Sequence, residues 1–238
     1  MVSKKGLFLP ILILFTLSSL SALLWTSSNL YGRQSTAKTP TSAVDIVEKI
    51  AGEGAIRIGF RNDSNKSINA LQVSVGGSVF MVEFLDADEP KRRLKPGGIY
   101  QEWFPTTAPN DIVVSVLAVV FEDKSGAGDG RLVEEVLETR RGVKKQLMRF
   151  GVLLRQKLAS ANVDATTLDK LNSQLDGPVD DDPSDSGSVR LGQRKARQQI
   201  RHDLDALKRR VSIEPHFDIR NGLTMIEKRH TQRVAEIQ

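Results

Sequence analysis

The sequence contains no cysteine. Disulfide bonds, zinc sites built from thiolates and cysteine nucleophiles are therefore excluded together. The absence of cysteine does not identify the compartment, because an exported protein can fold without disulfide bonds.

Aromatic residues are also scarce, at 5% of the 238 residues, and hydrophobic residues make up 39%. This composition favours one modest core with extended or exposed helices over a large enzyme. The sequence has no HExxH, GxSxG or P-loop pattern, and its histidines, His202, His216 and His230, form no i, i+4 pair that would indicate zinc. We expect no cofactor.

Positive charge is in slight excess, with a formal net charge of +5 and a pI of about 9.5. A basic balance permits an anionic partner but does not require one. The basic stretches lack the interleaved aromatic residues that stack on bases, so we expect no nucleic-acid partner.

The N-terminus contains a stretch of twenty uncharged, mainly apolar residues, Gly6 to Trp25, which follows Lys4 and Lys5. Its twenty residues are long enough to span a bilayer core of ~30 Å as a helix, and the preceding lysines would stay on the cytoplasmic side. The sequence predicts that residues 1–28 are a signal anchor that holds the protein at the cell envelope with the remaining chain outside the cytoplasm. The alternative is a cleaved signal peptide and a secreted or periplasmic protein.

Residues 29–54 are predicted to be a tether, because the first part is rich in Ser, Thr and Ala and cannot form a core. A short helical turn is expected at its end, from Val44 to Ala51.

Residues 55–130 are predicted to form a small antiparallel β-sandwich. Short segments of strand character alternate with Asn-, Gly- and Pro-containing turns. The run from Ile112 to Asp129 begins with β-branched residues and is expected to supply the central strand. The other strands are expected at 55–60, 68–75, 78–85 and 99–104.

The segments FRNDSNKSINALQVSV, LKPGGIYQEWFP and VVSVLAVVFED follow one another in this region. In this order they resemble the immunoglobulin-like or fibronectin type III-like domains of exported bacterial proteins, over residues 55–123. The disulfide-flanked tryptophan of antibody-type domains has no counterpart, although Trp103 is present. The resemblance implies a binding or scaffold module and supplies no catalytic residues.

Residues 131–175 are predicted to be an amphipathic helical segment, with a long helix to residue 161 and a short one at 164–175. The long helix carries a net +5 between Arg131 and Lys157, from eight Lys/Arg and three Glu. The charged face is interpreted as solvated, with anionic lipid, an acidic partner or the Asp-rich segment of the same chain as alternatives. Its apolar positions are Val136, Val143, Leu147, Phe150, Leu154, Leu158 and Ala161.

Residues 176–188 contain a cluster of Asp, Pro and Gly and are predicted to be an acidic, disordered linker. Residues 189–238 are predicted to form charged C-terminal helices, one up to Val211 and one from Gly222 to Ile237. Ile200, Leu204, Leu207 and Val211 repeat at spacings of 4, 3 and 4, which is typical of a coiled-coil seam. Such a seam needs a cover, either the long helix of the same chain or a partner chain, so these residues are the predicted interaction site.

The loop after the central strand partly matches a calcium-binding loop. Asp123, Ser125, Asp129 and Glu134 occupy ligand positions 1, 3, 7 and 12, and Gly128 occupies position 6. Ala127 offers no ligand at position 5, and a strand precedes the loop instead of a helix. The competing interpretation is a glycine turn in which Asp129 caps the following helix.

The sequence thus predicts an α+β protein: a transmembrane or signal helix, a small antiparallel β-sandwich and then long amphipathic helices. The expected function is that of a non-enzymatic extracytoplasmic binding or scaffold protein. The partner is expected to be another protein, or a second copy of the chain through its helices. The alternative is an exported enzymatic or enzyme-associated domain without a recognisable motif.

Overall fold

A computed structural model describes residues 41–84, 93–107, 112–175, 182–214 and 216–237. These residues belong to one compact unit, Ala37–Gln238. The predicted membrane segment at 1–28, residues 29–40 of the predicted tether and residues 176–181 of the acidic segment lie outside the described residues.

The described strands form two antiparallel sheets, as expected for a small β-sandwich. The strands are β1 (Val44–Gly52), β2 (Ala55–Asn62), β3 (Ile68–Val75), β4 (Ser78–Glu83), β5 (Ile99–Pro105), β6 (Val114–Phe121) and β7 (Gly126–Gly128). Sheet A has the order β1-β2-β5, and sheet B has the order β4-β3-β6-β7. The sequence prediction of strands at β2 to β6 is confirmed.

The helical turn predicted from Val44 to Ala51 is wrong, because these residues form strand β1 and pair with β2. The sheet therefore begins before Ala55, within the segment predicted to be a tether. A β-bulge between Ile46 and Glu48 adds a residue and interrupts the alternation of the strand. In the sequence, Val44, Val47 and Ile50 lie three residues apart, and this spacing imitates a helix.

The core of the sandwich is formed by the inner faces of both sheets. Phe60 and Phe104 meet there with their rings edge to face and their centroids 6.1 Å apart. Other buried members of this core are Ile56, Ile58, Leu71, Val73, Val116 and Val119.

The outer face of sheet B is covered by a helix, α1 (Gly130–Leu158). Val136 of α1 packs on Ala70 and Val120, and Leu132 packs on Leu117 and Ala118. Strand β6 is thus buried on both faces, which explains why its sequence is apolar without alternation. The outer face of sheet A forms no such cluster with a described helix.

The helices follow the strands, which confirms the α+β order of the sequence prediction. The helices after α1 are α2 (Ala165–Gln174), α3 (Gly187–Ile213) and α4 (Ile219–Glu236). Each helix begins at a capping side chain that accepts a hydrogen bond from a backbone N–H: Asp129 for α1, Asp164 for α2, Ser186 for α3 and Asp218 for α4.

Helices α1 and α3 cross at two glycines. A Cβ at Gly142 would lie 1.9 Å from the carbonyl oxygen of Val189, and a Cβ at Gly192 would lie 1.9 Å from that of Thr139. Both positions therefore require glycine if the two backbones are to approach this closely.

A second core lies between the helices and buries the apolar face predicted for α1. Val143, Leu147, Phe150 and Leu154 of α1 meet residues of α2, α3 and α4 there, whereas Ala161 lies beyond the helix and is exposed. Among the described residues, none of the helices is long and apolar enough to cross a membrane.

The acidic segment joins two helices of this one core. Asp182 and Asp185, in its described part, form ion pairs with Lys145 of α1 at 3.6 and 2.8 Å. The basic helix thus contacts the Asp-rich segment of its own chain, one of the arrangements considered from the sequence. The pKa of Lys145 is raised, mainly by its hydrogen bond to Asp185.

Candidate functional site

The outer face of sheet A carries large apolar side chains that are open to solvent. Trp103 is 50% exposed and Ile99 is 60% exposed on β5, while Val47 and Ile50 are exposed on β1. On β2, Ile56, Ile58 and Phe60 point into the core, so Arg57 and Arg61 point outward. Ile50 and Trp103 lie opposite Arg57, and Ile99 lies opposite Arg61, so these side chains share the outer face. We call Val47, Ile50, Ile99 and Trp103 the sheet A patch.

Trp103 lies beside residues of both other strands of sheet A. It is opposite Arg57 in the register of β2 and β5, and the Arg57 guanidinium carbon lies 5.8 Å from the ring centroid. The ring reaches across β2 as far as β1, since a Cβ at Gly52 would lie 2.9 Å from its Cζ3 atom. Gly52 thus leaves the space that the indole occupies.

The charged groups around the patch are paired with one another. Glu48 accepts hydrogen bonds from Gln101 and, at 3.4 Å, from Arg57. Arg61 pairs with Asp45 at 3.0 Å and with Asp63 at 2.6 Å. The hydrogen bond from Arg61 is the main cause that lowers the pKa of Asp63, so this carboxylate stays ionised. The patch can therefore be covered without leaving these charges unpaired.

The edges of sheet A are unsuited to pairing with another strand. Lys49 of β1 and Glu102 of β5 both lie opposite Ile58, so charged side chains occupy the inward register at each edge. The Glu102 carboxylate also accepts the backbone N–H of Trp103 at 3.0 Å. A partner is thus better accommodated on the face of the sheet than at its edges.

Of the calcium-loop candidates, Asp123 and Ser125 contact each other, whereas Asp129 caps a helix. Asp123 forms an ion pair with Lys66 at 2.7 Å and hydrogen bonds with Ser125, and these contacts lower its pKa to about 2. Asp129 caps α1 by accepting hydrogen bonds from the backbone N–H groups of Arg131 and Leu132, and Glu134 is exposed on that helix. No group of three His, Asp or Glu residues in the described ranges could hold a metal ion.

The loop between these residues contains strand β7, which the sequence reasoning missed. Gly126 to Gly128 pair with β6, and Gly128 has a φ of 91°. A Cβ at Gly128 would lie 2.3 Å from the carbonyl oxygen of Leu117. The glycines thus serve the close approach of β7 to β6 and the entry into α1.

The predicted interaction residues of α3 lie in the helical core of the same chain. Ile200, Leu204 and Leu207 are buried against α1, α2 and α4, and Val211 packs at the margin of this core. The cover of the seam is thus the long helix of the same chain, one of the two arrangements considered.

Two polar features of the helices were not singled out from the sequence. Asp203 Oδ2 lies 2.9 Å from Nε2 of His230, and both side chains are at least 95% buried (5% and 4% exposed), so the pair lies within the core rather than on a surface. An open cleft of about 400 Å³ lies between α3 and α4 and is lined by Glu214, His216, Phe217, Asp218 and Asn221.

No protein-family model, curated protein or solved structure matches this chain. Its function is therefore inferred from the contacts and exposure of its own residues.

Proposed function

We propose that the chain is a non-enzymatic binding or scaffold protein outside the cytoplasm, and that its N-terminal segment tethers it to the membrane. It binds a protein partner through the sheet A patch. The observation that carries the proposal is Trp103, half exposed among Val47, Ile50 and Ile99 on a sheet face that no described helix covers.

The composition of the patch supports a protein as the partner. Binding hot spots are enriched in Trp and Arg, and Trp103 lies beside Arg57 on the sheet face that also carries exposed aliphatic side chains. The neighbouring carboxylates are already paired, so their burial costs less than that of isolated charges. Exposed apolar side chains that share one sheet face with paired polar groups can mark an interaction site.

The strand order supports an immunoglobulin-like or fibronectin type III-like assignment of the sandwich. In immunoglobulin notation, β1, β2 and β5 correspond to strands A, B and E, and β4, β3, β6 and β7 correspond to C′, C, F and G. Domains of this architecture are widely used as binding modules. The helices that follow β7 distinguish this chain from an isolated sandwich.

The tether is proposed from the sequence of residues 1–28. An uncharged stretch from Gly6 to Trp25 after Lys4 and Lys5 would hold the following domain near the outer surface of the membrane.

The proposal is tested by capture from native membranes with the full chain and a Trp103→Ala variant. Loss of a central tryptophan weakens binding by about 2 kcal/mol or more, roughly 30-fold, so proteins captured by the patch should disappear with this variant. Ile213→Ala is the matched control, because Ile213 is an exposed apolar residue at the end of α3. Equal capture by wild type and both variants would overturn the sheet A patch as the binding surface.

A further inference from the structure

The second half of α1 has an unusual charge distribution. Residues 139–163 include seven Lys or Arg residues and no Asp or Glu. Arg140 is buried, forms an ion pair with Glu83 and donates a hydrogen bond to the carbonyl oxygen of Asn69. The other six cations lie at or near the surface.

The outward face of this helix combines cations with exposed apolar side chains. Arg141, Lys144, Met148, Val152 and Arg155 follow one another at spacings of 3 or 4 and therefore share one face. Met148 is 54% exposed and Val152 is 49% exposed, between the cations at either end. We call these five residues the α1 outer face.

Some positive charge on and beside this face is already compensated. Arg155 pairs with Glu227 at 3.1 Å, and the neighbouring Lys145 pairs with Asp185. Within the part of the chain that the structure describes, Arg141 and Lys144 form no ion pair with a carboxylate. Arg141 and Lys144 thus lie beside two exposed apolar side chains and have no carboxylate partner among the described residues.

We infer that the α1 outer face docks on an anionic lipid surface. Positive charge attracts acidic head groups, and Met148 and Val152 can enter the boundary between head groups and acyl chains. Each Lys or Arg near such a surface contributes about 1 kcal/mol, which alone gives weak binding. The proposed membrane tether, on which this inference depends, would raise the effective concentration of the lipid surface and make weak docking sufficient.

The absence of cysteine permits a direct test with a single label. The full chain carrying Met148→Cys, labelled with an environment-sensitive fluorophore, is reconstituted into vesicles of phosphatidylcholine alone or mixed with phosphatidylglycerol. We expect a blue shift of the emission only in the vesicles with phosphatidylglycerol, and its reversal by salt. Val79→Cys is the control, because Val79 has a similar exposure of 53% but lies on strand β4.

Charge reversal at Arg141 and Lys144 completes the test. The double variant Arg141→Glu, Lys144→Glu should weaken docking by about 25-fold or more, because each lost cation costs about fivefold. Flotation of the chain with the neutral vesicles measures membrane insertion of the tether independently of docking by the α1 outer face. Trp103→Ala should leave the blue shift unchanged. An emission that is the same in both kinds of vesicle would overturn lipid docking. A shift with native membranes but not with protein-free vesicles would do the same and would indicate an acidic protein partner.

Discussion

At the residue scale, glycine has opposite consequences at two positions of α1. Gly142 allows the backbone of α3 to approach, whereas a Cβ at Gly151 would meet only the guanidinium of Arg155, at 3.6 Å. Helix propensity alone treats both glycines as unfavourable by ~1 kcal/mol. The structure shows that one of them is required by the helix crossing.

We expect Gly142→Ala to destabilise the protein by about 3 kcal/mol or more, because the added carbon would overlap the carbonyl of Val189. Gly151→Ala in the same helix should be neutral or stabilise by up to ~1 kcal/mol. Urea denaturation followed by circular dichroism compares the two. Equal losses in both variants would show that the close crossing of α1 and α3 is not needed.

The buried pair of Asp203 and His230 gives a pH dependence. Burial by itself raises the pKa of Asp203, but the hydrogen bonds from His230 and Gln199 and the charges of His230 and Arg229 outweigh it and lower the pKa. A lowered pKa means that Asp203 stabilises the fold above its usual value of 3.8 and that this contribution is lost as the pH falls through the folded-state pKa.

We expect Asp203→Asn to cost about 2 to 4 kcal/mol at pH 7, because it breaks a buried pair. The difference from wild type should shrink as the pH falls below 3.8, because the unfolded chain then binds a proton at this position that folded Asp203, with its lowered pKa, does not yet bind. Asp205→Asn is the control, since Asp205 is exposed on the same helix. Stability measurements between pH 7 and pH 3 that show a constant difference would contradict this assignment.

At the element scale, the helices were predictable because their apolar residues repeat with the helical period. The stripe from Val143 to Leu154 identified the buried face of α1, and the seam from Ile200 to Leu207 identified that of α3. The local sequence could not choose between a cover from the same chain and one from a partner. That choice depends on the crossing at Gly142 and Gly192, which only the tertiary structure reveals.

The elements that sequence analysis missed are those whose patterns are interrupted. Strand β1 contains a bulge that breaks its alternation, and β7 consists of Gly-Ala-Gly, which carries almost no side-chain signal. The sheet A patch was missed for a different reason. Val47 and Trp103 are far apart in sequence and come to the same sheet face only through the pairing of β1 and β5 with β2. The available signal was that β5 carries apolar residues on both of its faces, Ile99 and Trp103 on one and Tyr100 and Phe104 on the other.

The helical core is tested by Leu204→Asp. Leu204 is 1% exposed and a charge there would face buried leucines, so we expect a loss of about 4 kcal/mol. Ala206→Asp should stay within ~0.5 kcal/mol, because Ala206 is exposed on the same helix. Urea denaturation by circular dichroism makes the comparison. An unchanged midpoint for Leu204→Asp would mean that α3 does not pack on α1 in solution.

At the scale of the whole molecule, α1 belongs to both hydrophobic regions. Its first turns cover sheet B, and its later turns form the helical core. The described residues before and after the acidic segment belong to one compact unit. The helices cover sheet B, which directs the open surface of the sandwich to sheet A.

Binding through the sheet A patch is tested most directly by site-specific photo-cross-linking in native membranes. A photoreactive amino acid replaces Gln101, which is exposed on β5 between Ile99 and Trp103, or in a control chain Val79 on β4. We expect a discrete cross-linked protein from position 101, its loss when Trp103→Ala is added, and no such product from position 79. Equal products from both positions, or a product at 101 that survives Trp103→Ala, would contradict binding through this patch.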